Sequence, residues 1–334
     1  MNLDAPKVRC VTALLVGRLG DLIVSTAFLR GLRARFPEAR IRLVVSAATR
    51  QAAGLIPFID EILAVHPYWR PLDNINSSIA LLAGSCDLLV DLNPSFSRTS
   101  TALALMARGR LRAAFAKGRM DSFWNMLADP PGEREHMLDR YARLAGMIGA
   151  SYEPRMELRL RPDDERQAEV LMKAAAVPPG KLHIAVFPGN FKKFDNRWPE
   201  EKFAALCDRL IGETDLSLSF LAGPGEREAV AQIAASLKRP VPIFGPAPIG
   251  LTASLLKRFD LFLGNITGAT HLAAAVGTAT FGLYSGYTDA VWRLRGPQHS
   301  GVVAGSWESC RGIAVDEALR GLKSALAQRR GVRP

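Results

Sequence analysis

The sequence has few of the features that would tie it to a disulfide framework, a zinc site or a membrane span. Its four cysteines, Cys10, Cys86, Cys207 and Cys310, are widely spaced and form no CxxC pair. This spacing indicates buried, reduced thiols. No apolar run approaches the roughly 20 residues that span a bilayer, and residues 1–6 lack the features of a signal peptide. We therefore expect a cytoplasmic protein.

Acidic residues are too few to balance the basic ones. There are 43 Lys and Arg residues against 32 Asp and Glu residues, a formal net charge of +11. Nucleic acid, anionic lipid, phosphorylated glycan and nucleotide all suit such a field. The sequence has neither a helix-turn-helix pattern nor an RNP-like aromatic strand, so nucleic acid is the least favoured partner.

Apolar β-branched runs alternate with amphipathic helical patterns through both halves of the 334 residues. This rhythm predicts an α/β fold of two doubly wound, Rossmann-like domains with parallel sheets, facing a central cleft. We expect a first domain over residues 1–155, a second over 156–312, and a last helix in 313–334 that packs back on the first domain. The predicted strands are Val11–Val16, Ile41–Val45, Glu61–Val65, Asp87–Leu92, Leu111–Phe115, His183–Phe187, Leu216–Ala222, Val241–Phe244, Leu261–Gly264 and Ala279–Leu283.

The first strand ends in a glycine-containing loop with an aspartate. Gly17 and Gly20 permit a tight turn beside Arg18, and a helix follows from about Leu22. Asp21 would lie near the start of this helix, where it either caps the helix or acts as a general base toward a hydroxyl. The loop lacks the third glycine and the acidic residue of a dinucleotide fingerprint.

The second domain opens with a strand followed by a basic loop, residues 188–199. Its Gly189, Asn190, Lys192, Lys193 and Arg197 suit a diphosphate, although solvated surface charge explains the basic residues equally well. Pro199 and the two glutamates after it are typical of a helix start.

Two further turns complete the predicted site. Gly223 allows close approach of a ligand, and Glu226 either accepts hydrogen bonds from ribose hydroxyls or is a first-turn helix acid. Thr267 is a good N-cap, so Gly268 would offer a backbone donor to an anion, or the turn is an ordinary capped one. His271, one turn further on, either faces a phosphate or packs against the sheet.

Together these blocks resemble the lipopolysaccharide heptosyltransferase family, glycosyltransferase family 9, which has the GT-B fold. The resemblance covers most of the chain and rests on the order and spacing of Gly17–Asp21, Pro188-Gly189, Arg197-Trp198-Pro199, Ala222-Gly223 and Asn265–Gly277, continued by Phe281–Tyr284 and Trp292. It implies inverting transfer of heptose from ADP-heptose to a sugar hydroxyl of the inner core, without a cofactor or bound metal.

The resemblance also implies roles for particular residues. Asp21 matches the family's proposed base, the Lys192/Lys193 loop and the Thr267 helix match the donor diphosphate site, and Gly17, Arg18 and Gly20 would face the acceptor. An anionic glycolipid acceptor at the cytoplasmic face of the inner membrane would suit the net charge and would bring the protein to that surface.

Two positions depart from the family pattern. Ile266 stands where the family commonly has an acidic residue, and Asn196 stands where it often has lysine. These departures leave two alternatives open: a GT-B transferase or epimerase that uses another nucleotide sugar, and a non-catalytic relative that binds nucleotide or glycan.

Overall fold

The computed structural model describes residues 7–66, 70–84, 86–175, 181–189 and 197–330, in two units divided between Arg159 and Leu160. The first unit alternates strands and helices. Its elements are β1 Cys10–Leu15, α1 Leu19–Arg35, β2 Arg40–Ser46, α2 Arg50–Ala53, β3 Glu61–Val65, α3 Ile75–Ala83, β4 Leu88–Asp91, α4 Arg98–Ala107, β5 Leu111–Phe115, β6 Met126–Ala128 and α5 Met137–Met147.

The second unit repeats this alternation after a leading helix. Its elements are α6 Pro162–Ala174, β7 Leu182–Phe187, α7 Glu200–Glu213, β8 Leu216–Leu221, α8 Arg227–Ala235, β9 Ile243–Phe244, α9 Ile249–Leu256, β10 Leu261–Asn265, α10 Gly268–Ala275, β11 Ala279–Tyr284, α11 Gly286–Trp292, β12 His299–Val303 and α12 Val315–Arg330.

Each unit contains one six-stranded parallel sheet, and the two sheets have the same topology. The orders are β3-β2-β1-β4-β5-β6 and β9-β8-β7-β10-β11-β12. In each sheet the chain builds outward to one side and then to the other, so the winding reverses between β1 and β4 and between β7 and β10. Ligands of open α/β sheets bind at the carboxyl ends of the strands at such switch points.

The strands at both switch points are buried on both faces, as parallel strands with helical crossovers require. Every residue of β1, β4 and β10 is buried, and β7 is buried except for its last residue. All four cysteines are buried and free of disulfides, as their spacing indicated. The predicted fold class of two doubly wound α/β units is confirmed.

The last helix packs on the second unit. The apolar face of α12, with Ala318, Leu319, Leu322 and Leu326, belongs to the core of the second unit and packs against strand residues such as Phe281. Its apolar face is thus buried in the second unit, and packing of this helix on the first domain stays a prediction. The division at Arg159 lies four residues beyond the expected end at 155, and residues 313–330 belong to the second unit.

Five elements were absent from the sequence prediction. They are the four-residue helix α2, the three-residue strand β6, the polar helix α6, the seven-residue helix α11 and the edge strand β12. Within the described ranges no helix is both long and apolar enough to cross a bilayer.

Candidate functional site

A buried asparagine organises the switch point of the second unit. Asn265 is the last residue of β10 and is fully buried. Its side-chain amide donates to the carbonyl oxygens of Pro188 and Gly189, at 3.1 and 3.2 Å. Its Oδ1 accepts from the backbone N–H of Trp198 at 3.0 Å. One side chain therefore fixes the segments just after β7 and just before α7 against the end of β10.

Trp198 anchors the far side of the basic loop. Its indole is fully buried, donates to the carbonyl oxygen of Ile313 at 3.0 Å and meets Phe203 edge-on. Neighbouring Arg197 is largely buried and forms an ion pair with Glu200 at 3.1 Å. Arg197 is thus held at the switch point, and Trp198 is a packing residue.

Glu226 brings two of the predicted glycines together. Its Oε2 accepts from the backbone N–H of Gly223 at 3.1 Å. A Cβ atom at Gly223 would lie 2.5 Å from this oxygen, and one at Gly189 would lie 2.6 Å from it and 2.5 Å from the ring of Phe187. Glu226 also occupies the N-cap position of α8, where its side chain makes no capping hydrogen bond. The ends of β7 and β8 therefore meet around one carboxylate, and a Cβ atom at either glycine would have to displace a neighbouring side chain.

Thr267 is the N-cap of α10, as the sequence predicted. Its Oγ1 accepts from the N–H of Ala269 at 3.2 Å, and the hydroxyl of Thr270 accepts from the N–H of Thr267 at 3.1 Å. The hydroxyl of Thr270 also donates to the carbonyl oxygen of Asn265 at 2.7 Å. The cap thus occupies the N–H groups of Thr267 and Ala269, whereas Gly268, at the first helical position, has no intrahelical acceptor to reach.

His271 lies inside the second unit. It is 3% exposed, and its ring lies 5.7 Å from that of Trp292. Of the two roles that the sequence left open, the structure gives this side chain the packing one, and direct contact with a donor stays a prediction without geometric support.

In the first unit, Asp21 lies at the corresponding switch point. Helix α1 begins at Leu19, so Asp21 is its third residue, and its carboxylate accepts from the N–H of Arg18 at 2.8 Å. The helix-capping role is therefore present. Gly17 makes the turn, because a Cβ atom there would lie 3.1 Å from Oδ2 of Asp21. Placing Gly20 in the loop was wrong, since it belongs to the first helical turn.

Sequence reasoning missed a buried ion pair at the same edge. Asp91 ends β4 and Lys117 follows β5; their side chains are 2% and 6% exposed, and Nζ lies 2.6 Å from Oδ2. Asn93 donates to Asp91 at 2.6 Å and to the carbonyl oxygen of Leu14 at 3.3 Å. Burying two charges is costly unless they are paired and hydrogen-bonded. The signal available from sequence was a polar residue at the end of a fully apolar strand.

A buried tyrosine adjoins this edge. Burial raises the pKa of Tyr141 well above its ordinary value, and the negative charges of Asp21 and Asp91 act in the same direction. In the described part of the chain its hydroxyl has no hydrogen-bond partner. The first-unit switch point therefore combines two carboxylates, an ammonium group and a neutral phenol.

Three predicted site residues, Asn190, Lys192 and Lys193, lie outside the described residues, as does Asn196. Among the described residues no three His, Cys, Asp or Glu side chains come together as potential metal ligands. Metal-independent chemistry stays a prediction.

Two Rossmann-like units of equal strand order, with glycine turns at both switch points, have the architecture of the GT-B fold. Residues 78–312 match the family model of glycosyltransferase family 9 (heptosyltransferase), which is more than half of the chain, and the chain belongs to this family. The resemblance seen in the sequence is thereby confirmed, and the protein is a glycosyltransferase. The match includes the second-unit site and begins after Asp21.

Similar proteins extend beyond the matched region. The lipopolysaccharide core heptosyltransferase OpsX of Haemophilus influenzae is 22% identical over 84% of this chain and 80% of its own. A family 9 glycosyltransferase structure from Veillonella parvula has a TM-score of 0.84 at 20% identity, covering 98% of this chain and 99% of its own. The E. coli structure of ADP-heptose LPS heptosyltransferase II has a TM-score of 0.79 at 18% identity, covering 97% and 100%. These structural likenesses establish the fold.

Proposed function

We propose that this protein transfers heptose, with inversion, from ADP-heptose to a hydroxyl of a lipopolysaccharide inner-core or related glycan. Family membership supports heptosyl transfer. The names of two relatives support the donor and the kind of acceptor: one is a lipopolysaccharide core heptosyltransferase and the other an ADP-heptose LPS heptosyltransferase. We propose a cytoplasmic site of action.

The observation that carries the donor half of the proposal is the convergence at the β7/β10 switch point. The backbone at Gly189 and Gly223 lies close against the carboxylate of Glu226, and this carboxylate suits hydrogen bonds from ribose hydroxyls. The first turn of α10 begins at the neighbouring strand and presents the N–H of Gly268 toward a phosphate. A nucleoside diphosphate bound along this edge would place its ribose hydroxyls near Glu226 and a phosphate near the N–H of Gly268.

In the proposed mechanism Asp21 removes the proton from the acceptor hydroxyl. The oxygen then attacks the anomeric carbon from the face opposite the diphosphate, a C–O bond forms, and the bond from that carbon to the ADP oxygen breaks with its electron pair. Arg197, Lys192 and Lys193 would stabilise the charge that develops on the departing diphosphate. Asp21 is half-buried, and the N–H of Arg18 holds one carboxylate oxygen in place.

The test is a donor panel read out as nucleotide release, with inner-core glycolipid as acceptor. We expect ADP-heptose to be turned over, and Asp21→Asn to lower kcat by about 10²–10⁴-fold, the ordinary contribution of a general base. Asp87→Asn is a matched control, because Asp87 accepts from the backbone N–H groups of Arg9 and Cys10 at the opposite, amino edge of the same sheet. If Asp21→Asn retains turnover within a few-fold of wild type, the base assignment fails.

One observation favours a second candidate, a transferase for a different nucleotide sugar. Ile266 follows β10 and reaches across to β11, where a Cβ atom at Gly282 would lie 2.7 Å from its Cδ1. Its side chain is thus apolar and packed beside the turn, and it accepts no sugar hydroxyl. Turnover of another ADP- or UDP-sugar from the same panel, with ADP-heptose inactive, would establish this candidate instead.

A further inference from the structure

Helix α3 of the first unit carries a ridge of exposed large apolar side chains. Ile75, Ile79 and Leu82 are 48%, 57% and 46% exposed, and Leu72, just before the helix, is 78% exposed. The three helical positions follow the i, i+4, i+7 spacing that places side chains on one helix face. Leu81, on the opposite side, is buried in the core. We call Leu72, Ile75, Ile79 and Leu82 the α3 ridge.

The helical part of the ridge is unusual because no charged side chain interrupts it; the Arg70–Asp73 ion pair lies beside Leu72, before the helix begins. The helix sequence Ile75–Ala83 contains no Asp, Glu, Lys or Arg residue. A solvent-facing helix surface ordinarily carries charged or polar side chains. Contiguous exposed apolar surface marks a contact with a partner or a membrane.

The neighbouring helix, α4, exposes its outer face on the same side of the sheet as α3 and carries a basic residue. Helices α3 and α4 pack on each other and on one sheet face, because Leu81 of α3 and Leu103 of α4 share a core cluster with strand residues such as Leu14. Their outer faces therefore point away from that sheet together. The outer face of α4 adds Leu105, which is also exposed, and Arg98.

The charge on the α4 side of the ridge has one sign. Residues 92–120 contain six Lys and Arg residues and no Asp or Glu. Arg98, Arg108, Arg110 and Arg119 are exposed. An apolar helix face flanked by arginines is the pattern of a helix that lies in the interface of an anionic bilayer. A two-fold contact between copies would bring these arginines against their own counterparts, which disfavours self-association through this face.

We propose that the α3 ridge, with the arginines of the α4 side, docks the protein on an anionic lipid bilayer. Helix α3 follows β3 and so begins at the carboxyl edge of the first sheet, the edge at which Asp21 lies. Docking would bring that edge to the lipid surface. The inference rests on the proposed function only in explaining why docking is useful: it would bring the enzyme to a membrane-anchored acceptor.

The experiment measures partition of the full chain onto vesicles, without donor or acceptor, so its result does not depend on the proposed reaction. Wild-type protein is sedimented with vesicles of phosphatidylethanolamine and phosphatidylglycerol, and with phosphatidylcholine alone. The test variant is Ile75→Ser/Ile79→Ser. The matched control is Val170→Ser/Leu171→Ser, which changes two exposed apolar residues on α6 of the second unit.

We expect binding to the anionic vesicles and about tenfold or greater loss in the Ile75/Ile79 variant, equal to about 1.4 kcal/mol. The α6 control should stay within about twofold. Arg98→Gln and Arg110→Gln should each weaken binding about fivefold at low salt, and salt should weaken the wild type. Circular dichroism checks folding, and ADP binding shows that the second unit is intact.

Three results would overturn the proposal: no wild-type binding to the anionic vesicles, equal binding by the Ile75/Ile79 variant, or equal loss in the α6 control. If sedimentation velocity shows a dimer that the Ile75/Ile79 variant converts to monomer, while vesicles recruit neither protein, the ridge joins copies of this chain and the lipid assignment is wrong.

Discussion

Replacing Asn265 should weaken both the second unit and its nucleotide site. In Asn265→Ala, the N–H of Trp198 and the carbonyl oxygens of Pro188 and Gly189 all lose their side-chain partner. A buried polar group left without a partner costs about 1–3 kcal/mol. Three such groups at the lower figure give a loss of about 3 kcal/mol in the free energy of unfolding, a large share of an ordinary domain's stability. The cavity left by the amide adds to this loss.

Thr278→Val provides the control because it removes one buried hydrogen bond, to the carbonyl oxygen of Leu256 at 2.7 Å, beyond the far end of α10. It should cost about 1 kcal/mol and leave the nucleotide site unchanged. Urea unfolding followed by circular dichroism gives the stabilities, and calorimetric titration with ADP gives the affinities.

We expect ADP affinity to fall about tenfold or more in Asn265→Ala, since the backbone at Gly189 loses its tether; this corresponds to about 1.4 kcal/mol. Equal stability losses in the two variants, or unchanged ADP affinity in Asn265→Ala, would refute the organising role of this side chain.

Three further predictions test the site and the core. Gly223→Ala should displace the carboxylate of Glu226 and weaken ADP binding as much as Glu226→Gln does. Because both changes remove the same interaction, the double variant should bind ADP no more weakly than either single variant, as calorimetric titration of all three would show. Thr267→Ala should lower the free energy of unfolding by about 1 kcal/mol, and Thr267→Gly by only a few tenths. Both variants should keep the wild-type affinity for ADP, because only backbone donors face the ligand in the proposed site. Similar losses of ADP affinity in both variants would show that the Thr267 hydroxyl contacts the ligand. Burial lowers the pKa of His183 to about 4, below its unfolded value, so the free energy of unfolding should fall by about 2 kcal/mol between pH 7 and pH 5. Urea unfolding of His183→Gln should lack this pH-dependent loss. The same loss between pH 7 and pH 5 in His183→Gln would contradict the prediction.

The strands were predictable because burial on both faces leaves a clear mark in the sequence. Glu61–Val65 and Leu111–Phe115 agree with the structure at both ends, and other strands differ by a residue or two. The missed strands lack that mark: β12 reads His-Ser-Gly-Val-Val and lies at a sheet edge, where one side needs no apolar partner. Helix α6 was missed because Ala168 is its only buried residue among those described. It is held to α9 partly by polar contacts, including Lys257 with Glu165 at 2.8 Å.

The site was predictable only where function depends on local backbone. Turns at Gly17, Gly223 and Thr267 could be predicted because glycine and helix-capping residues determine the backbone conformation within a few residues of themselves. Asn265 and the Asp91–Lys117 pair could not, because their partners lie 67 and 26 residues away in sequence. Only the parallel topology, which gathers strand ends at one edge, brings such residues together.

The capped start of α10 changes how a diphosphate would be held there. An uncapped helix start would offer several N–H groups and the positive end of its dipole. Here the hydroxyl of Thr267 occupies the N–H of Ala269, and the hydroxyl of Thr270 occupies the N–H of Thr267. Few backbone donors then remain beside Gly268, so most of the neutralising charge has to come from basic side chains. The site should accordingly bind ADP with a marked dependence on ionic strength, as charge pairs do and neutral hydrogen bonds do not.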